Sequence, residues 1–371
     1  MKKILVVFGT RPEAIKMAPV IRAIQQRKDD FFLEVCVTAQ HRYMLDQVLS
    51  FFEIVPDYDL DLMRSKPDLF ELTAGVLLKM KEVLEASRPG YVLVHGDTTT
   101  AMVASLAAYY KQIPVCHVEA GLRTYNAYAP FPEEINRQMT GRIAHLHFAP
   151  TLKAKENLIK EGIQASRIQV TGNTVIDALH WAKEKLLYYQ DDEIKTLHEV
   201  ISNAGRVILV TAHRRENHGK GIIGICQALQ QIALRNDIVI VFPVHLNPEV
   251  HKPVYDLLGN LPNVILVDPL GYPAFTWLML RSHFIITDSG GIQEEAPSLG
   301  KPVLVMRDVS ERPEAIDSGS VKLVGTDSEQ IYAAATELLD NDEVFRRMSV
   351  TSMVYGDGQS AERIADVMLN F

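Results

Sequence analysis

Twelve short apolar runs, each followed by a longer amphipathic stretch, set the strongest constraint on how this chain folds. In the first half they are ILVVFG (4–9), LEVCVTA (33–39), YVLVHGD (91–97), PVCHVEAG (114–121), LHFAP (146–150) and IQVTGN (168–173). In the second half they are VILVTAH (207–213), IVIVFPVH (238–245), VILVDP (264–269), FIITDSGG (284–291), PVLVMRD (302–308) and VKLVGTD (321–327). The runs are apolar on both faces, as strands of a buried parallel sheet are. The intervening AIKMAPVIRAIQQ and AMVASLAAYYKQ carry helical periodicity. Repeated strand–helix units demand parallel sheets with right-handed crossovers. Six units and then six more fit two Rossmann-like α/β domains, not one eight-stranded barrel. A chain of 371 residues is long enough for both.

The join falls in TVIDALHWAKEKLLYYQDDEIKTLHEVISNAG (174–205), a helical, charged stretch without a strand. The tail GQSAERIADVMLNF (358–371) spaces Ile364, Val367 and Met368 along one face, ready to pack across either domain. A net charge of −8 and a pI near 5.9 exclude broad binding to nucleic acid or anionic membrane, which needs a basic surface. No stretch approaches the ~18 apolar residues of a membrane span. The apolar run after Met1-Lys2-Lys3 is too short for a signal peptide, and TRPE follows it at once. Three cysteines, Cys36, Cys116 and Cys226, sit in apolar stretches with no C-x-x-C pair. They are expected to be buried reduced thiols of a cytoplasmic protein.

In open α/β sheets ligands bind beyond the carboxyl ends of the strands. Here those ends carry Gly9-Thr10-Arg11 with Lys16 a turn later, Gln40-His41-Arg42, His95-Gly96-Asp97 and Glu119-Ala120-Gly121. In the second half they carry His213-Arg214-Arg215-Glu216, His245, Asp288-Ser289-Gly290-Gly291 and Arg307-Asp308. Two domains presenting such ends to each other would form a deep cleft for a two-part ligand.

The stretch IITDSGGIQEE (285–295) joins two opposed features. Ser289, Gly290 and Gly291 offer backbone N–H groups at a helix start, which suits a diphosphate. Glu294 and Glu295 follow immediately. A nucleoside diphosphate resolves the conflict, because a carboxylate accepts hydrogen bonds from a ribose diol while the amides take phosphate. The alternative is a plain turn whose glutamates favour the helix dipole. HGDTTT (95–100) has no Gly-rich phosphate loop, and Asp97 alone also reads as a helix N-cap. Glu119, Glu133 and Glu134 lie near the same strand ends, although Glu134 and Arg137 also suit a helical i, i+3 pair. Several acids plus a histidine aimed at one place suit general acid–base work. There is no Walker A pattern, no G-x-G-x-x-G after the first strand and no zinc signature, so no metal site is expected.

FGTRPEAIKMAPVI (8–21), TAQHRYMLDQVL (38–49), VLVHGDTTT (92–100), HVEAGLRT (117–124), TGNTVIDAL (171–179), TAHRREN (211–217) and TDSGGIQEEAPSLGKPVLVMRDVSERPEA (287–315) together resemble the non-hydrolysing UDP-N-acetylglucosamine 2-epimerases, in order and over nearly the whole chain. The resemblance implies two Rossmann-like domains facing a cleft in the glycosyltransferase-B arrangement. Residues 1–173 would form the first domain, completed by a C-terminal helix in 358–371 that crosses back to it, and residues 174–357 the second. It further implies a cytoplasmic homodimer that interconverts UDP-GlcNAc and UDP-ManNAc for surface polysaccharide, with no cofactor.

Chemistry restricts how that interconversion runs. No ring carbonyl acidifies the C2 proton, so deprotonation and reprotonation alone would be very slow. Expelling UDP from C1 while removing H2 gives a 2-acetamidoglucal, to which UDP adds back with a proton on the other face. This needs a base, an acid and cations for UDP. By the resemblance, Asp97, Glu119 and Glu133 are the carboxylates near the sugar, and His213, Arg11 and Lys16 meet the diphosphate. Ser289, Gly290 and Gly291 bind phosphate through the backbone, Glu295 binds ribose and Arg312 supports that end. Phe275 sits by the uracil, or serves as ordinary core, and Leu270 offers backbone contacts. Some bacterial members take a second, activating UDP-GlcNAc, for which Gln40, His41, Glu216 and His245 are the matching positions. The chain departs from that pattern at Tyr43 and Lys66. A glycosyltransferase, a hydrolysing epimerase and a non-catalytic nucleotide-sugar sensor are the rival readings.

Overall fold

The computed structural model describes residues 1–39, 42–62, 68–202, 205–309 and 312–371. They form two compact units, one of residues 1–181 with 355–371 and the other of residues 182–354. Each unit is a parallel sheet flanked by helices.

In the first unit β1 (Lys2–Phe8), β2 (Phe31–Val37), β3 (Tyr58–Asp59), β4 (Tyr91–His95), β5 (Val115–Val118), β6 (Leu146–Ala149) and β7 (Ile168–Val170) line up in the order β3-β2-β1-β4-β5-β6-β7. In the second, β8 (Arg206–Thr211), β9 (Ile238–Pro243), β10 (Val264–Val267), β11 (Phe284–Thr287), β12 (Val303–Val305) and β13 (Val321–Leu323) take the order β10-β9-β8-β11-β12-β13. All twelve expected strands are present. The thirteenth, β3, is a two-residue strand that pairs Cys36 with Tyr58 and Val37 with Asp59 at the sheet edge. It has no apolar run of its own to announce it.

In both sheets the order in which successive strands are added reverses once, between β1 and β4 and between β8 and β11. These switch points are where an open α/β sheet leaves a crevice for ligand. The strands form because their runs are apolar on both faces. Ile4 to Phe8 and Ile208 to Val210 are fully buried against helices. Ile225, Cys226 and Leu229 pack on one face of the second sheet, and Val76, Met80, Ala104 and Ala108 on one face of the first. All three cysteines are buried free thiols, and burial pushes each up to about 12.

The C-terminal helix, Ser360–Asn370, belongs to the first unit. Ile364, Ala365 and Met368 are fully buried. Lys2 Nζ donates to the carbonyls of Met368 and Leu369 at 3.0 and 2.9 Å, satisfying acceptors of the last turn. Arg27 pairs with Glu362 at 2.8 Å and Asp366 at 2.7 Å. No described helix is long and apolar enough to cross a membrane.

Candidate active site

At the switch point of the first sheet, Thr10 caps the helix Arg11–Gln25 in a capping box with Glu13. The Glu13 carboxylate does more than cap. Oε2 accepts from the amides of Gly9 and Thr10 at 3.0 and 2.8 Å, and Oε1 accepts from Thr98 Oγ1 at 2.7 Å. Glu13 is 2% exposed, so it ties the loop after β1 to the loop after β4 inside the protein. Burial raises its carboxyl, against the hydrogen bonds from Thr98, Gly9 and Thr10. Gly9 lets Thr38 pack against this loop, because a Cβ there would stand 2.1 Å from Thr38 Oγ1.

Asp97 follows β4, and Arg137 of the helix Glu133–Ile143 donates to its Oδ2. It is not the cap of the following helix; Thr98 accepts from Ala101 N and does that work. Glu119 follows β5 at φ +60°. It takes an ion pair from Lys16, and His95 Nε2 lies 3.7 Å from its Oε2. Burial alone would raise the Glu119 carboxyl, but Lys16 and His95 overcome it and hold the group well below the usual carboxylate range. Glu133 opens its helix half-buried, with no ion pair among the described residues. Glu134 is fully buried and structural. It accepts from the amides of Thr124 and Tyr125 at 3.0 and 3.1 Å and from Gln138 Nε2 at 2.8 Å. Its i, i+3 contact to Arg137 exists at 3.5 Å, but Arg137 bridges onward to Asp97. Arg11 is half-buried at the first position of its helix.

At the switch point of the second sheet, Asp288 is fully buried and organises the loop after β8. Its Oδ2 accepts from the amides of His213 and Arg214, both at 2.8 Å, and from Asn217 Nδ2 at 3.1 Å. The His213 side chain is 42% exposed, with Nδ1 3.0 Å from Asp288 Oδ1. The helix Gly290–Ser298 starts after Ser289, with Gly290 buried and Gly291 exposed in its first turn. Glu294 is 4% exposed and accepts from Arg312 Nε. Glu295 is the half-buried one of the two. Leu270 precedes Gly271, whose amide donates to Glu193 at 2.9 Å, and Phe275 is half-buried in the helix Tyr272–Arg281.

Glu216 pairs with Arg307 at 2.7 Å, and the His245 ring lies 6.2 Å from that of His213. Tyr43 is 76% exposed. Gln40, His41 and Lys66 lie outside the described residues. No cluster of metal-ligating side chains occurs among the described residues. Glu13, His95, Arg137 and Asp288 were not singled out by sequence as site residues. The available signal for Asp288 and His95 was their position at a strand end; Glu13 and Arg137 had none beyond helical spacing.

Two Rossmann-like sheets, one with cation-held carboxylates beyond neighbouring strand ends and the other with a glycine-opened helix start, define an enzyme of the nucleotide-sugar class. Comparison with known proteins narrows the class. The family model described as UDP-N-acetylglucosamine 2-epimerase matches residues 22–369. The UDP-N-acetylglucosamine 2-epimerase of Campylobacter jejuni is 54% identical over 375 residues, covering 100% of this chain and 98% of that protein. That of Escherichia coli (strain K12) is 53% identical over 372 residues, covering 99% and 98%. The crystal structure of UDP-GlcNAc 2-epimerase from Neisseria meningitidis bound to UDP-GlcNAc is 49% identical with a TM-score of 0.89, over 100% of both chains. The chain belongs to the UDP-N-acetylglucosamine 2-epimerase family.

Proposed function

We propose that this enzyme interconverts UDP-GlcNAc and UDP-ManNAc without net hydrolysis, by elimination and re-addition of UDP. A carboxylate takes H2; the C2–H pair becomes the C1=C2 bond, and the C1–O pair leaves on the β-phosphate oxygen. In the return step that oxygen attacks C1, and the alkene pair takes a proton at C2 from the opposite face.

The observation that carries this reading is the pairing of Asp97 with Arg137 and Glu119 with Lys16 at neighbouring strand ends. Cations that hold these carboxylates keep them in fixed positions and offset the charge of a departing anion. Asp97, Glu119 and Glu133 share the removal and return of the proton. Arg11, Lys16 and His213 neutralise the diphosphate. The amides at Ser289, Gly290 and Gly291 bind phosphate, Glu295 the ribose, and Phe275 and Leu270 the base, with Arg312 supporting through Glu294. Glu216 and His245, with Gln40 and His41, are assigned to a second UDP-GlcNAc. The bound UDP-GlcNAc of the Neisseria relative supports the substrate class. A cytoplasmic homodimer supplying ManNAc-type sugars for polysaccharide completes the proposal.

Proton NMR of the purified protein with UDP-GlcNAc in D₂O tests it. UDP-ManNAc carrying deuterium at C2, with little free UDP, is the expected result. Accumulation of UDP with free ManNAc would replace it with a hydrolysing reaction. No change, even with both sugar nucleotides supplied, would remove it.

A further inference from the structure

His117 is fully buried in β5; Glu119 follows the end of this strand and Asp97 follows the end of its neighbour β4. β4 and β5 pair in parallel, with Val94 opposite His117 and His95 opposite Val118. Just past β4 the chain turns left-handed at Gly96, φ +65°. The turn is gripped on both sides by β5. Gly96 N donates to the Val118 carbonyl at 2.9 Å, and the Gly96 carbonyl lies 2.7 Å from His117 Nε2.

A carbonyl oxygen only accepts, so Nε2 carries the proton and donates. Nδ1 is then the bare nitrogen, and it is buried with no partner among the described residues. Burial pushes the imidazole down to about 3, against the Gly96 hydrogen bond and together with His147, Arg123 and His95. The ring is neutral and its tautomer fixed.

The Gly96 carbonyl belongs to the peptide plane that ends at the Asp97 Cα. Holding its oxygen fixes that plane and with it the position of the Asp97 Cα, from which the side chain leaves. Glu119 is two residues beyond His117, just past the end of β5. Its Oε1 lies 3.9 Å from where a Cβ on Gly96 would stand. The turn at Gly96 therefore abuts one carboxylate and places the Cα that bears the other.

We propose that His117 is a positioning residue for the reaction: its imidazole clamps the Gly96–Asp97 peptide to β5 and fixes Asp97 relative to Glu119. The proposal rests on the acid–base reading given above. His117 touches no reacting atom in it; it acts through Asp97 and Glu119. A side chain that keeps a donor at the Nε2 position keeps the clamp, and one that lacks it releases the turn.

The test compares His117→Gln, whose amide nitrogen reaches the same place, with His117→Leu, which fills the space without a donor. Should the leucine variant fail to fold, His117→Asn, whose amide stops short of Gly96, takes its place. Turnover of UDP-GlcNAc, UDP affinity, Tm and hydrogen exchange at Gly96 and Asp97 are measured on each full-length protein. The expected loss in His117→Leu is about 10²-fold in kcat per folded molecule, the scale of a misplacement near 1 Å. KM and UDP affinity stay within about threefold, as befits a loss confined to the transition state. Exchange at Gly96 rises roughly tenfold as the turn loosens. His117→Gln restores both kcat and protection.

Equal losses in the glutamine and leucine variants, wild-type kcat in the leucine variant, or unchanged exchange overturn the proposal. If the wild-type protein itself fails to turn over UDP-GlcNAc, the acid–base reading falls. The exchange measurement then still decides whether the clamp exists.

Discussion

The Nδ1 atom of His213 lies 3.0 Å from Oδ1 of Asp288, a residue 75 positions later in the chain. The carboxylate is fully buried while the imidazole is partly exposed, so the pair has an inner and an outer end. Burial alone would raise the Asp288 carboxyl; His213 and the amides of Arg214 and His213 hold it below its ordinary value. An ionised carboxylate at Nδ1 keeps the proton there and leaves Nε2 for a ligand, as an outer carboxylate orients a histidine in many sites. The contact joins the loops after β8 and β11 at the switch point of the second sheet.

Asp288→Asn tests this. The asparagine oxygen continues to accept from the loop amides, while its NH₂ group faces His213 Nδ1 and favours the other tautomer. Turnover is expected to fall about 10- to 100-fold, the usual cost of losing an orienting partner. Nitrogen NMR of His213 should report the change of tautomer. Wild-type turnover with an unchanged tautomer would show that Asp288 serves the loop alone.

The three carboxylates assigned to proton transfer are tested one at a time. Asp97→Asn, Glu119→Gln and Glu133→Gln should each lower kcat by roughly 10²- to 10⁴-fold, the range for a general acid or base. UDP affinity should persist in all three. Arg137→Met should resemble Asp97→Asn more than it resembles a loss of binding, because Arg137 reaches the substrate's chemistry through Asp97. Near-normal turnover in all three carboxylate variants would end the assignment.

Much of this was legible in the sequence, for a physical reason. The middles of strands such as β1 and β8 are buried on both faces, so their residues are apolar and the run stands out. The same rule hides β3, where Tyr58 and Asp59 only extend an edge. It also overextends strands such as YVLVHGD, because the chain leaves the sheet at His95 and turns at Gly96. Asp97, Glu119 and His213 were visible as polar residues where apolar runs end. Their partners were not. Glu13 meets Thr98 across 85 positions, and His117 meets Gly96 across 21. Such contacts are made by the sheet order, which no local pattern encodes. A buried histidine inside an apolar strand also looks the same whether it is core or clamp.

The paired glutamates after the Ser289-Gly290-Gly291 turn separate by burial. Glu294 is buried on Arg312, whereas Glu295 is half-buried. Glu295→Ala should raise the Kd for UDP about tenfold, worth about 1.4 kcal/mol, with Tm unchanged. Glu294→Ala should cost about 2 kcal/mol of stability by removing a buried acceptor from a guanidinium. Calorimetry with UDP and a thermal melt on both variants separates the roles. Unaltered UDP affinity in Glu295→Ala would refute the ribose assignment.

Asp177 gives the fold a dependence on pH that a single substitution should abolish. It is 7% exposed near the start of the helix Thr174–Lys185, and its Oδ1 accepts from Ala361 N at 2.8 Å, at the start of the C-terminal helix. Burial raises its carboxyl to about 6, and Asp357 adds to the rise, while the Ala361 amide opposes it. Arg363 is the nearby cation. In the unfolded chain the group titrates at about 3.9. A folded value above the unfolded one means that the native state holds the proton more tightly. The resulting stability is fully present below about pH 4 and is lost as pH rises to about 6, amounting to about 3 kcal/mol on linkage grounds. Asp177→Asn stays neutral and keeps the oxygen that accepts from Ala361. Its Tm should match the wild type near pH 4 and exceed it at pH 8, with the difference opening between those values. A difference that is constant across that range would mean that the Asp177 carboxyl is ionised in the folded protein throughout.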